Sequence, residues 1–529
     1  MNMSATALDK KLILADTFTK ELPADPILEN TRRQVHNSCF SYVTPRVPTN
    51  PELVHFSHEV LDLVGLDEKD AHSSDFLKLF SGTDTIKGSR PYAMCYGGHQ
   101  FGHWAGQLGD GRAINLAQVL HNKDTWTLQL KGAGETPYSR TADGLAVLRS
   151  SIREHLCSEA MHHLGAPTTR SLSLILSGDQ VLRDVMYDGN SAYEKGAIVC
   201  RVAPSFIRFG NFQIFASRGD FENLKILTDY TIRHHFSEIE VGTKEGYIQF
   251  YKKVVDLSLE MVIHWQRVGF VHGVMNTDNM SILGLTIDYG PYGWLEGYDH
   301  GWTPNTTDRT NRRYRYGYQP HIVLWNLAQL ANALMPLIKD EKPLQEIIDQ
   351  YKVDYYEAYM KMMKAKLGLE NAVQGDGVLI KTLEDLLQEK ETDMTIFFRE
   401  LSNVEAGDSE KFLELLQTAL YNPEILGGIF LKKWEQWFDD YSNRLDYEDL
   451  SFQERSRKMK QTNPKYVLRN YMAQMAIDKA ENGDYSLVDE LYSLLKNPYA
   501  EQDHNERWYA KRPDWARHKV GCSMLSCSS

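Results

Sequence analysis

The 529-residue sequence is poor in cysteine, with six residues scattered along the chain. These are too few and too dispersed for a disulfide scaffold, so reduced thiols are expected. No apolar run approaches the roughly 18 residues that suggest a bilayer-spanning helix. Residues 1–26 contain no long apolar segment and carry early acidic residues, which argues against a secretory signal and an Arg-rich transit peptide. We therefore expect a cytoplasmic protein without a membrane partner.

Positive charge is also in the minority. Lys and Arg total 58 against 71 Asp and Glu, which gives a net charge of −13. This balance argues against non-specific nucleic-acid binding over the whole surface, although local basic patches are compatible with it. The hydrophobic content of 42% is ordinary for a globular protein and excludes general disorder. A chain of this length is expected to form two or three packed units.

Hydrophobic periodicity predicts the main elements. Residues 125–134 alternate apolar and polar side chains, which predicts a strand that carries Lys131. Residues 144–167 place apolar residues four apart and end in glycine and proline, which predicts a helix. A second long helix is predicted over 247–269, and the chain from about residue 343 onward has a mostly helical pattern.

One segment, HGVMNTDNMSILGLTIDYG at residues 272–290, follows the catalytic pattern of protein kinases, H-R-D-L-x-x-x-N and then D-F-G. Asn279 and Asp288 fall at its metal-ligand positions and supply oxygen atoms suited to Mg²⁺, with Mn²⁺ as an alternative. The position of the kinase catalytic Asp holds Val274, which cannot accept a proton. Asp278 is the only other carboxylate before Asp288 in this segment, so we assign the base or metal-positioning role to it.

Two further stretches offer groups for phosphate binding. In YGGHQFGHWAGQLGDGRA, residues 96–113, Gly109 and Gly111 allow backbone amides to approach phosphates, and Arg112 adds a positive charge. A glycine-rich turn without a ligand is the alternative reading. Lys131 and Glu154, 23 positions apart, have the order and separation of the kinase strand Lys and helix Glu; an unrelated surface pair is the alternative.

Arginines form two more candidate groups. Arg201 and Arg208, seven apart, could clamp a polyphosphate, or could simply flank a turn at the surface. A second set lies beside aromatic residues and could dock a protein or nucleic-acid partner, with a solvated basic loop as the alternative. This set comprises Arg309, Arg312, Arg313 and Arg315.

These motifs together closely resemble the selenoprotein O (SelO) family of protein adenylyltransferases. The resemblance rests on residues 96–113, 128–144 and 276–293, on the pair of arginines seven apart, and on the terminal SCSS. It implies an α+β, protein-kinase-like, two-lobed fold in which ATP binds in a flipped orientation. AMP would then pass to Ser, Thr or Tyr hydroxyls of proteins, and pyrophosphate would leave.

The resemblance also implies roles for individual residues. Asn279 and Asp288 would bind Mg²⁺, Asp278 would accept the proton, and Glu154 would pair with Lys131. A reversed nucleotide no longer needs the usual kinase base, which accounts for Val274. The nucleotide site would comprise Gly109, Gly111, Arg112, Lys131, Asp143, Gly144, Arg201 and Arg208.

The predicted organisation has four parts. Residues 1–88 form an N-terminal extension, 89–195 a kinase-like small lobe, and 196–342 a kinase-like large lobe with the catalytic and metal-binding motifs. Residues 343–529 form a mostly helical C-terminal region with a cysteine-containing tail.

The tail departs from many relatives, which carry selenocysteine third from the end where this chain has Cys527. A cysteine that some relatives carry after D-Y-G has no counterpart in residues 291–308. A lock between the tail and that segment is therefore not expected, although Cys522 and Cys527 could pair with each other.

The preferred hypothesis is Mg²⁺-dependent AMP transfer from ATP to protein substrates. One alternative is a pseudokinase scaffold that binds nucleotide without turnover. Another is an atypical kinase that transfers the γ-phosphate and uses Asp278 as its base. A thiol redox protein acting through Cys522 and Cys527 is disfavoured, because the two residues lack the C-x-x-C spacing that lowers a thiol pKa.

Overall fold

The protein, represented by a computed structural model, is described over residues 7–526. Within that range the strands are β1 (Ile13–Leu14), β2 (Phe40–Tyr42), β3 (Glu52–Phe56), β4 (Tyr92–Met94), β5 (Gly97–Gln100), β6 (His103–Gln107), β7 (Ala113–His121), β8 (Asp124–Lys131), β9 (Ala146–Val147), β10 (Arg170–Arg183), β11 (Ala192–Ala203), β12 (Phe270–Val271) and β13 (Gly293–Trp294).

The α-helices of the same residues are α1 (Ala7–Lys11), α2 (Thr17–Glu21), α3 (His58–Leu63), α4 (Glu68–Ala71), α5 (Ser74–Phe80), α6 (Leu148–His163), α7 (Phe209–Arg218), α8 (Phe221–His235), α9 (Lys244–Val268), α10 (Gln319–Ile338), α11 (Glu341–Leu367), α12 (Asp376–Glu389), α13 (Met394–Leu401), α14 (Ser409–Ala419), α15 (Gly428–Leu445), α16 (Phe452–Thr462), α17 (Asn470–Ala480) and α18 (Ser486–Leu495).

The main sheet is antiparallel and runs in the order β2-β4-β7-β8-β11-β10-β3, with β1 on β7 and β9 on β11. The predicted strand at 125–134 is observed as β8 and ends where Gly132 takes a φ of 95°. Lys131 lies opposite Val199 of β11 and Ala113 of β7. The register therefore places this lysine at the centre of the sheet.

Helix α6 lies within the segment that was predicted to be helical. It packs on β10 and β11 at one side and on α17 and α18 at the other. Because both sides are covered, polar residues of the helix, including Arg153 and Glu154, are buried with the apolar ones. This burial holds Glu154 behind the sheet, next to the end of β8.

Helix α9 matches its prediction closely and ends at Gly269, which adopts the left-handed conformation with a φ of 74°. Such a glycine stops a helix at low steric cost. The chain then enters β12 and the 3₁₀ turn Thr277–Asn279, which carries the kinase-like motif.

The prediction that no segment is apolar enough to suggest a membrane span is corrected by one segment. Tyr316–Ile338 is long enough and, on average, apolar enough to cross a membrane, because polar amides interrupt its apolar run without lowering the average enough. Half of the most apolar window is buried inside the protein, and α10 packs on α7, α9 and α11. Neighbouring helices therefore cover much of this apolar surface.

The C-terminal part is helical, as predicted, and no strand lies between residues 339 and 526. Two hydrophobic cores are present in the described chain. The larger one joins the sheet, α6, α9, α10, α17 and α18, and the smaller one is built mainly from α12 to α16. The mixed α/β composition is thus confirmed, whereas the two-lobed kinase-like arrangement and the domain boundaries stay predictions.

Candidate active site

A cleft of about 710 Å³ lies between the β7–β8–β11 part of the sheet and the segment that carries the kinase-like motif. Val274 lines it, at the position where kinases have their base. Of the predicted site residues, Gly144 and Glu154 do not line the cleft. Those that do are Gly109, Gly111, Arg112, Lys131, Asp143, Arg201, Arg208, Asp278, Asn279 and Asp288.

Glu154 connects two cations at the back of the cleft. One of its oxygens forms the predicted ion pair with Lys131 Nζ. The other accepts a hydrogen bond from Arg201 Nη1 at 3.0 Å, a contact that the sequence did not indicate. Glu154 is only 2% exposed, so solvent does little to screen these pairs. Burial lowers the pKa of Lys131, and the neighbouring Glu154 carboxylate opposes that shift.

Asp288 is shared by the two arginines of the predicted clamp. Arg201 Nη1 donates to its Oδ1 at 2.5 Å, and Arg208 Nη1 donates to its Oδ2. Burial alone would raise the pKa of Asp288, but Arg208, Arg201 and Lys131 together hold that pKa well below its usual range. The Asp288 carboxylate is therefore ionised. It can bind a cation once the two guanidiniums are displaced from its oxygens.

Asp278 has a different environment in the same cleft. Its side chain is 7% exposed, and burial raises its pKa to about 6, against the opposing effects of Gln100 and Arg208. Gln100 Nε2 donates to Oδ2 at 3.2 Å, while Oδ1 has no hydrogen-bond partner within residues 7–526. A buried carboxylate with one uncommitted oxygen and a pKa near neutrality suits a proton acceptor.

Asn279 Nδ2 donates to the backbone oxygen of Val274 at 2.9 Å, so the amide nitrogen is used and the carbonyl oxygen can serve as a ligand. With Asp288, this gives two hard oxygen donors on one wall of the cleft. Mg²⁺ is usually held by one or two protein oxygens, with substrate phosphates and waters completing its shell. The donor set fits that ion, and Mn²⁺ as well.

The conformation of the glycine-rich turn depends on its contact with Tyr138. Gly109 has a φ of 94°, and a Cβ there would lie 2.4 Å from Tyr138 Cγ. A Cβ on Gly111 would lie 2.9 Å from the backbone oxygen of the same tyrosine. Glycine is therefore required for the turn to pack against Tyr138, which brings the backbone and Arg112 to the cleft wall.

Asp143 and Gly144 reach the site in different ways. The Asp143 carboxylate accepts two hydrogen bonds from Arg183, at 2.7 and 2.8 Å, at the edge of the cleft. Gly144 has a φ of 71°, and a Cβ there would lie 2.2 Å from the backbone carbon of Gly134. The requirement for glycine at 144 therefore comes from the close approach of two paired backbone segments, and not from a group lining the cleft.

The polar cleft residues that sequence reasoning missed include Gln100, Asp110 and Arg183. Burial raises the pKa of Asp110, whose Oδ1 lies 3.7 Å from Arg208 Nη2. Gln100 and Asp110 lie within the glycine-rich stretch at residues 96–113, and that stretch is the sequence signal that could have identified them. Arg183, at the end of β10, had none, because its partner Asp143 is 40 positions away.

The tail lies against the segment that follows D-Y-G. Thr306 donates its backbone N–H to Leu525 at 2.7 Å, and Leu525 donates to Pro304 at 3.2 Å. Cys522 is buried and unpaired within residues 7–526, and burial raises its pKa to about 11. Cys527 lies outside the described residues, and so does its suggested pairing with Cys522.

Comparison with known proteins places these features in a family. A family model described as protein adenylyltransferase SelO matches residues 27–496. A protein nucleotidyltransferase YdiU of Flavobacterium johnsoniae is 61% identical over 521 residues, which cover 98% of this chain and 100% of the relative. The YdiU proteins of Rhodopirellula baltica and Aromatoleum aromaticum are 54% and 52% identical, with 98% of this chain and 99% and 100% of the relatives covered.

Proposed function

The chain belongs to the SelO family of protein adenylyltransferases, and on that premise we propose that it transfers AMP from ATP to Ser, Thr or Tyr hydroxyls of proteins and releases pyrophosphate. The observation that carries this proposal is the pairing of two features in one cleft. The side chains that we assign to phosphate and metal binding line the cleft, yet Val274 stands where a kinase has its base. A cleft of this kind retains the means to hold a nucleotide while lacking the usual route to γ-phosphoryl transfer.

We place ATP in the cleft with its β- and γ-phosphates toward Arg112, Lys131, Arg201 and Arg208. Guanidinium groups bind phosphate oxygens through paired N–H donors, which favours them for a polyphosphate clamp. This orientation directs the α-phosphorus toward Asp278. It also requires the kinase-like two-lobed arrangement that the sequence resemblance implies.

In the proposed reaction, Asp278 accepts the proton of the acceptor hydroxyl. The hydroxyl oxygen forms a bond to the α-phosphorus, and the bond from that phosphorus to the β-phosphate bridging oxygen breaks. The four cationic side chains then hold the departing pyrophosphate. A divalent cation, held by Asn279 and Asp288 when bound, would neutralise charge on the phosphate oxygens. Glu154 acts indirectly, by fixing Lys131 and Arg201 in place.

The test is incubation of the purified protein and candidate acceptor proteins with ATP labelled at either the α- or the γ-phosphate. Protein-bound label from the α position alone is expected, and it should disappear in Asp288→Ala. Asp446→Ala, which removes an exposed carboxylate far from the cleft in sequence and structure, is the matched control and should keep full labelling.

Label from the γ position alone would overturn the proposal in favour of a phosphotransferase. Nucleotide binding with no transfer of either label would leave a scaffold as the better account. The retention of both Asn279 and Asp288 on the cleft wall argues against the scaffold, because a protein that only binds a partner has little need of both.

A further inference from the structure

The four arginines at 309, 312, 313 and 315 form a surface that the proposed reaction does not use. We call residues 309–315 the arginine loop. It lies between the 3₁₀ turns Thr306–Asp308 and Tyr316–Tyr318, directly before α10. Arg309 and Arg312 are exposed, and Arg313 and Arg315 are partly exposed.

The guanidiniums of the arginine loop form no ion pair with the described part of the chain. Within residues 7–526, none of its four guanidiniums has a carboxylate oxygen within 4.0 Å, whereas Arg183, Arg201 and Arg208 all have one. The acidic residue beside the loop, Asp308, is buried, and its oxygens accept the backbone N–H groups of Arg313 and Tyr314 at 2.9 and 2.7 Å. That carboxylate therefore shapes the loop and does not pair with its side chains.

Two of the arginines are held in position by aromatic rings. The Arg313 guanidinium lies 4.7 Å from the ring centre of Trp325, and that of Arg315 lies 4.3 Å from the ring centre of Tyr318. Stacking of this kind orders a guanidinium without neutralising its charge. The loop thus presents fixed positive groups, which lose little conformational freedom when an anionic ligand binds.

Hydrogen bonds connect the arginine loop to the part of the cleft that contains Asp278. Tyr314 Oη donates to Asn276 Oδ1 at 2.6 Å and accepts the backbone N–H of Phe101 at 3.0 Å. Phe101 follows Gln100, which donates to Asp278. The loop is therefore two hydrogen-bonded contacts away from the carboxylate proposed to activate the acceptor hydroxyl.

A second exposed feature adjoins the loop. The hairpin of β5 and β6 carries exposed His103 and Trp104, the latter with 39% of its surface accessible. A Cβ on Gly102 in the same hairpin would lie 3.4 Å from Arg313 Cζ, so hairpin and loop are in contact. Together they form one surface with an aromatic part and a basic part, at the side of the cleft where Asp278 lies.

We propose that the arginine loop binds an acidic segment of the protein substrate, next to the hydroxyl that receives AMP. This inference rests on the proposed function and adds a substrate class to it. Unpaired arginines on a protein with a net charge of −13 provide local charge complementarity for Asp and Glu side chains. A short acidic segment needs to contact only this local basic patch, whereas the longer run of phosphates in a nucleic acid would also meet the surrounding negative surface.

The proposal can be tested with pairs of peptides that contain one acceptor hydroxyl and differ only in having Asp and Glu, or Asn and Gln, around it. The variant Arg309→Glu with Arg312→Glu reverses the two most exposed charges of the loop. Lys432→Glu with Arg457→Glu is the matched control, since it makes the same change in net charge on exposed positions of α15 and α16. Rates are measured as α-phosphate label transferred per peptide, at low and high salt.

The wild-type protein and the control should prefer the acidic peptide by about tenfold in kcat/KM, mainly through KM, as expected for two exposed ion pairs. High salt should weaken this preference. The loop variant should lose the preference and retain its rate on the neutral peptide within about twofold, because the neutral peptide forms no ion pair with the loop.

Equal rates on both peptides with the wild-type protein would overturn the docking proposal and leave AMP transfer standing. Failure to transfer label to any peptide or protein would overturn both. A single-stranded oligonucleotide that binds the wild type but not the loop variant, with no peptide preference, would assign the surface to nucleic acid and also overturn the proposal.

Discussion

Arg201 donates to Glu154 at 3.0 Å and to Asp288 at 2.5 Å, so the strand arginine links the helix carboxylate to the proposed metal ligand. Glu154 also holds Lys131, and Asp288 also holds Arg208. Five charged side chains of the cleft are thereby connected, and a change in one is expected to affect the others. Double-mutant cycles should therefore be non-additive across this set.

The first prediction concerns competition for Asp288. A divalent cation must displace Arg201 and Arg208 from the carboxylate oxygens, and nucleotide phosphates are the natural alternative partner for these arginines. Mn²⁺ titrated by calorimetry should therefore bind at least tenfold more tightly when ATP is present, which corresponds to about 1.4 kcal/mol.

The same competition predicts opposite effects of Arg208→Ala on two ligands. Binding of Mn²⁺ alone should become tighter because Asp288 loses one partner, while ATP binding should weaken because the phosphates lose one. Arg457→Ala, an exposed arginine on α16, should change neither. A loss of both affinities in Arg208→Ala would contradict the competition and indicate general damage to the cleft.

The second prediction concerns Glu154, which touches no cleft surface. Glu154→Gln should lower kcat/KM for ATP to a degree similar to Lys131→Ala, because Lys131 loses its ion-pair partner and Arg201 loses one of its two carboxylate partners. Leaving a buried charge unpaired also costs about 3–5 kcal/mol of stability, so the melting temperature should fall. A melting temperature equal to that of the wild type would show that the pair is not buried in solution.

The third prediction separates the base from nucleotide binding. Asp278→Ala should reduce AMP transfer by about 10²- to 10⁴-fold, the usual contribution of general base catalysis, with little change in the dissociation constant for ATP. Full activity in this variant would show that the base assignment is wrong.

A substitution beside Asp278 provides an independent check. A Cβ on Gly98 would lie 2.6 Å from Asp278 Oδ1 and 2.9 Å from its Cβ, so Gly98→Ala must move the carboxylate. Transfer should fall at least tenfold, whereas Gly427→Ala, which meets no atom within 4 Å, should be silent.

The fourth prediction concerns stability at acidic pH. His55 Nδ1 lies 2.8 Å from His155 Nε2, and burial lowers their pKa values to about 2 and about 3. Below pH 6.5 the unfolded chain therefore binds protons that the folded chain does not, and stability falls by about 1.4 kcal/mol per pH unit for each such histidine. Glu159 and His58 also influence His55, with opposite signs.

The measurement is the melting temperature between about pH 7 and pH 5. His155→Gln should reduce the fall in melting temperature over this range, because it removes one of the buried histidines that resist protonation. His504→Gln, at an exposed position, should leave the fall unchanged. The same steep fall in His155→Gln and wild type would exclude the histidine pair as its cause.

Much of the local structure was predictable from the sequence because its signals are short-range. The 3.6-residue pattern and Gly269 define α9, and the alternation around Lys131 defines β8. The spacing of Lys131 and Glu154 predicted an ion pair that the structure forms. Each of these signals depends on one element, or on two elements with a known order.

The remaining parts of the site depend on contacts that no local pattern encodes. Arg183 at the end of β10 meets Asp143, which precedes β9, because β10 and β9 both pair with β11. Arg201 was expected to face phosphates, but whether it also reaches Glu154 depends on how closely α6 packs on β11.

The close approach of the backbone at Gly134 and Gly144 has a consequence for interpreting evolutionary invariance. Any relative that keeps this approach must keep glycine at 144, whatever ligand it binds, because even one added methyl group would overlap the opposite backbone. An unvarying glycine at that site would therefore be explained by this steric constraint without any contact to a nucleotide.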